Sequence, residues 1–122
     1  MAVQVPEQGC NEVVLVGRVS APAEEKVLPS GDVLVSWRVV VDRPPSRRAA
    51  AESGKGAPVD TIDCVAWTRG VQRTAAGLAA GDVVRVDGAL RRRFWRGPVG
   101  AASRCEVEVS GVRRLARAQA SR

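Results

Sequence analysis

Valine and charge alternate along this chain at the two-residue period of a β-strand. The clearest case is Gly81 to Arg96, GDVVRVDGALRRRFWR. Val84, Val86, Gly88, Leu90, Arg92 and Phe94 share one face; Arg85, Asp87, Ala89, Arg91, Arg93 and Trp95 share the other. The near half has a valine core face, and the far half carries guanidinium groups and rings out of the fold. Asn11 to Val19, NEVVLVGRV, is a strand whose centre, Val13, Val14, Leu15 and Val16, is an unbroken apolar run. Such a run predicts cover on both faces, by the domain's own core and by something else, such as another subunit. Gly17 within it predicts a bulge or sharp bend.

The rest of the pattern follows in order. Ser20 to Lys26 is a connection, and Val27 to Asp32 reads as a strand end and tight turn. Val33 to Val41 is the second strand, with Trp37 in a stripe of valines and therefore in the core. Arg43 to Pro58 reads as a loop, with three prolines, two glycines and four basic residues. Val59 to Trp67 is the third strand; Ile62, Cys64 and Ala66 face one way, and Thr61, Asp63, Val65 and Trp67 the other. Thr68 to Ala80 holds the helical stretch, with Thr68 placed to cap it and Gly81 to end it. Gly97 to Gly100 is a turn, and Cys105 to Val112 alternates as a fifth strand. Three strands, a short helix and two strands is the element order of a five-stranded OB-fold barrel, with the helix between strands three and four. The expected layout is an arm over residues 1–10, one domain over 11–115, and a basic tail over 116–122.

Composition narrows the chemistry. A chain of 122 residues supports one domain with a modest core. Lys and Arg outnumber Asp and Glu by 19 to 13, a formal charge of +6 that points to polyanionic partners. The absence of histidine removes His-based triads, HExxH zinc sites and histidine acid–base work, and no phosphate-binding glycine motif is present. Asp60 and Asp63 lie close in sequence but in no metal motif, so strand-edge solvation is the expectation. No cofactor, metal or enzymatic activity is expected. Three cysteines without metal spacing predict a buried thiol at Cys64 and no disulfide framework. With no long apolar run and no leader-like start, the expected location is the cytoplasm, without membrane contact.

Arginines beside exposed rings suit single-stranded nucleic acid, because guanidinium groups meet phosphates while rings stack on unpaired bases. The competing reading of Arg91 to Arg96 is a solvated edge strand. The candidate contacts are Trp67, Trp95, Phe94, Arg18, Arg91, Arg93, Arg96 and the loop arginines Arg43, Arg47 and Arg48. Two rivals stand beside DNA binding: an RNA-binding or primosome-type OB module, and an OB protein-interaction module with reduced nucleic-acid binding.

From about Asn11 to about Leu115 the chain resembles the bacterial single-stranded DNA-binding protein family. NEVVLVGRV, LPSGDVLVSWRVVVDR, TIDCVAWTR and LAAGDVVRVDGALRRRFW carry the resemblance; in the last, Gly81, Gly88, Leu90, Arg91, Arg93 and Trp95 agree in spacing. The resemblance implies a homotetramer, a dimer of dimers built on the first strand through Val13 to Val16. It also implies single-stranded DNA wrapped outside with bases stacked on aromatics, in replication, recombination or repair, in a bacterial cytoplasm at the nucleoid. Of the family's stacking positions Trp67 and Trp95 remain, while Pro45 and Thr61 stand where aromatics are common. Phe94, Arg43, Arg47 and Arg48 are the candidates to compensate. The family's acidic C-terminal tail is replaced by RRLARAQASR, which implies a short paralogue without tail-dependent recruitment of replication enzymes.

Overall fold

Short valine-rich runs separated by Gly, Pro and charge give mostly strands, as β-branched residues favour pleated, half-buried surfaces. The computed structural model describes residues 7–44 and 58–119. In order they form β1 Val13–Val19, β2 Glu24–Val27, β3 Val33–Asp42, β4 Val59–Ala66, α1 Arg69–Ala76, β5 Val83–Gly97 and β6 Gly100–Ala116. The sheet order is β1-β5-β6-β4-β3-β2, and β1 also pairs with β3 through Arg18↔Val40 and Val19↔Val39. Five strands therefore close into the ring of an OB-fold, with β2 attached outside β3. Of the neighbouring pairs among the described residues only β4 and β6 run parallel, through Cys64↔Val107 and Val65↔Glu108.

The core fills the ring. Val19, Trp37, Val39, Cys64, Ala66, Val84, Val86, Val107 and Val109 are buried, with Ala75 and Leu78 from the helix side closing one end. Trp37 is in this set as its valine stripe predicts. Gln72 fixes the helix, donating from Nε2 to the carbonyls of Val33 (2.8 Å) and Ala66 (3.1 Å). Burial pushes the Cys64 thiol up to about 12, so it stays protonated and unreactive at neutral pH.

Several expectations are corrected. Glu24 to Lys26 belong to a strand, not to a connection; the strand ends at Val27 as expected and pairs with β3 from Glu24↔Ser36 to Val27↔Val33. All four of its residues are exposed, so no hydrophobic period announces it. The helix ends at Gly77 rather than Gly81. Gly81 instead takes φ +90° in the turn that leads into β5. Thr68 is extended at the N-cap but makes no side-chain cap bond. Gly17 carries no bulge in the β1–β5 ladder, which runs unbroken from Val13↔Gly88 to Arg18↔Val83. A Cβ there would run into the Val40 carbonyl, so Gly17 serves the close approach of β1 to β3. The register shifts lie between β5 and β6, at Val83/Val84 and Asp87/Gly88.

The fifth predicted strand begins earlier than Cys105. β5 and β6 form one long hairpin closed by Gly97↔Gly100. β6 runs to Ala116, and beyond it the Ala118 N–H donates to Asp82 Oδ1 at 2.7 Å. Asp82, itself buried, also accepts from Ala79 N and from Arg114 Nε. This knot ties the helix exit, β5 and the end of β6 together.

Candidate nucleic-acid interface

The ring contacts end near Leu90, and beyond it β5 pairs only with β6. The two strands project as an arm from Arg91↔Glu106 to Gly97↔Gly100, its residues mostly exposed. Strand alternation gives the arm two faces. On one lie Arg91, Arg93 and Trp95, with Arg104, Glu106 and Glu108 from β6. On the other lie Leu90, Arg92, Phe94 and Arg96.

The first face continues onto the outer surface of the ring. Arg93 places its guanidinium carbon 5.0 Å from the centre of the Trp67 ring. Arg93 and Trp95 line a groove of about 530 Å³ that reaches Lys26, Arg38, Asp63 and Arg104. Trp67 and Arg91 line a second groove of about 410 Å³ with Asn11, Glu12 and Glu108. Arg93 is the bridge between them. Trp95 is 49% exposed, whereas Trp67 is half-buried with one ring face under Arg93.

The other candidates are placed differently. Phe94, 72% exposed, is on the opposite face of the arm, with Arg92 stacked 5.2 Å from its ring centre. Arg96 shares that face. Arg18 and Arg43 line neither groove. Arg18 makes two bonds to the Asp42 carboxylate, at 3.0 and 3.2 Å, and Arg43 Nη2 lies 2.8 Å from Asp60 Oδ1. These hydrogen-bonded pairs hold Asp42 and Asp60 below the usual carboxylate range and raise both arginines. Asp60 and Asp63 are thus not a carboxylate pair; Asp63 faces Arg38 at 2.9 Å instead. Arg47, Arg48 and Pro45 lie outside the described residues.

Sequence reasoning missed Arg38, Arg104, Glu106 and Glu108 on the first face. It also missed Asn11, whose amide imitates a neighbouring strand: Nδ2 donates to the Leu90 carbonyl at 2.7 Å, and Oδ1 accepts from the Leu90 N–H at 2.8 Å. Alternation in CEVEVS signals the two glutamates. A side chain standing in for a strand has no such signal.

Val14 and Val16 are 56% and 51% exposed, while Val13 and Leu15 pack against the core. The four residues of the apolar run therefore divide into an inward and an outward pair. Among the described residues no helix is long and apolar enough to cross a membrane, and no group of three or more potential ligands could hold a metal.

A closed five-strand ring with a projecting hairpin of arginines and rings defines a small OB-class protein. The chain belongs to the single-strand binding protein family, whose model matches residues 10–115. A single-stranded DNA-binding protein of Oceanobacillus iheyensis is 31% identical over 90 residues, 74% of this chain and 53% of its own length. One from Treponema pallidum is 31% identical over 105 residues, 86% of this chain and 57% of its own. The chain thus spans about half the length of the curated relatives it matches. Among solved structures, a Plasmodium falciparum SSB complex with ssDNA aligns at TM-score 0.74 and 20% identity, covering 91% of this chain and 99% of that one.

Proposed function

We propose that this chain is a non-enzymatic protein that binds single-stranded DNA with little sequence preference, serving replication, recombination or repair in a bacterial cytoplasm. The observation that carries the reading is the placement of Arg91, Arg93, Trp67 and Trp95 on one continuous face. Trp95 offers an open ring for a base, and Arg91 lies four residues away on the same face of the arm, where it is a candidate for phosphate contact. Trp67 is reached by a base through the Arg93 guanidinium, which covers one face of its ring and serves as the stacking surface. Phe94 and Arg96 extend the contact to the back of the arm; Arg18 and Arg43 reach phosphate only by leaving Asp42 and Asp60, and Arg47 and Arg48 are further candidates by charge. Residues 11–115 form the binding domain. Assembly into a tetramer, as a dimer of dimers, uses the first strand through Val13 to Val16, with Val14 and Val16 as the exposed apolar pair.

Titration of the tryptophan fluorescence with oligo(dT) at two salt concentrations tests the reading. Saturable quenching that weakens as salt rises is the expected result. No quenching at low salt would overturn it. Stronger displacement by poly(U) than by poly(dT) would turn the reading towards RNA.

A further inference from the structure

The binding face holds almost as many carboxylates as arginines. Arg91 Nε lies 2.8 Å from Glu108 Oε2, and Arg93 Nε lies 3.2 Å from Glu106 Oε2. Asp63 sits between Arg38 at 2.9 Å and Arg104 at 3.7 Å. An arginine already facing a carboxylate presents little net charge to a phosphate, so contact requires exchanging one anion for another.

The exchange is not equal at the two pairs. The Glu108 side chain is 39% exposed, so water can solvate its carboxylate once Arg91 leaves. The Glu106 side chain is 7% exposed, and removing Arg93 would strand a charge away from water. Arg93 is held a second time by the Trp67 ring. We propose that Glu108 limits single-stranded DNA affinity by competing with phosphate for Arg91, while Arg93 remains on Glu106 and Trp67 in the free and bound states. This rests on the proposed function and adds which arginine is exchangeable and what restrains it.

The exchange has a signature in salt. A released Glu108 gathers a cation from solution, which offsets the cation that the contacted phosphate sheds. Arg91 then adds little to the salt dependence unless Glu108 is neutral.

The test is oligo(dT) titration of the full chain across a salt series. Glu108→Gln is expected to tighten binding about two- to fivefold, the range of one exposed ion pair. It should also steepen the slope of log affinity against log salt by roughly 0.7, one single-strand phosphate. Glu108→Thr, which suits a strand, should do the same. Glu25→Gln on β2, an equal charge change lining neither groove, should change affinity less than about twofold. In an Arg91→Ala background, Glu108→Gln should gain nothing. A gain that persists without Arg91, an equal gain from Glu25→Gln, or no gain from either Glu108 variant would overturn the proposal. If the unaltered chain fails to bind oligo(dT), the proposed function falls first.

Discussion

The three tryptophans separate by surroundings. Trp37 is 4% exposed within the ring, so Trp37→Ala should cost ~3–5 kcal/mol of stability, the range for emptying an aromatic core site. Chemical denaturation checks this. Trp95 is half exposed on the arm, and Trp95→Ala should lower oligo(dT) affinity by ~1–3 kcal/mol with little change in melting temperature. Trp67→Ala should lose less, because Arg93 already occupies one face of that ring. Normal binding by Trp95→Ala, with early unfolding, would make the arm a solvated edge only. The inward placement of Trp37 and the outward placement of Trp95 were legible because strand alternation separates inward from outward positions. The cover over Trp67 was not, since it joins two strands distant in sequence.

At the scale of elements, the hairpin was half legible. Its strands alternate, and the Pro98-Val99 turn fixes Arg91 opposite Glu106 and Arg93 opposite Arg104. Recognising that register in the sequence would have required extending β6 back through Gly100 to Arg104, where valines are absent. β2 was illegible for a related reason: its EEKV sequence is held by backbone pairing alone. Asn11 holds the root of the arm by two hydrogen bonds to Leu90. Asn11→Ala should speed hydrogen exchange at the Leu90 amide and weaken oligo(dT) binding while the ring core stays protected. Asn11→Asp should act alike, since a carboxylate oxygen would oppose the Leu90 carbonyl. Unchanged exchange at Leu90 would show that β6 alone fixes the arm. The Asp82 knot gives a prediction in pH. The Ala79 and Ala118 amides, then Arg114, hold the Asp82 carboxyl below its ordinary value of about 3.9. Its contribution is therefore complete above that value and is lost as pH falls towards the lower folded value. Asp82→Asn should lower the melting temperature at neutral pH and flatten its fall in acid. Thermal melts between about pH 7 and pH 3 measure both.

For the whole molecule, the first strand is decisive. Its apolar run suggested cover on two faces, and within one chain only Val13 and Leu15 have it. Val16→Asp should therefore give a folded monomer by light scattering and circular dichroism, without the core damage that a charge at Leu15 would add. A monomeric unaltered chain at micromolar concentration would remove the proposed assembly. The arm has a consequence of its own, best put mechanically. From its root at Leu90 to Gly97 it is a cantilever roughly 23 Å long, at about 3.3 Å per residue. A tilt of roughly 10° at its root would carry the tip through about 4 Å, close to the ~3.4 Å of helix axis per charge along one strand of a duplex. Stiffness at Leu90 thus sets where the tip of the arm would meet a bound strand, to within a few ångströms. A change at Asn11 would be felt at Trp95 as altered reach, with the chemistry of the ring untouched.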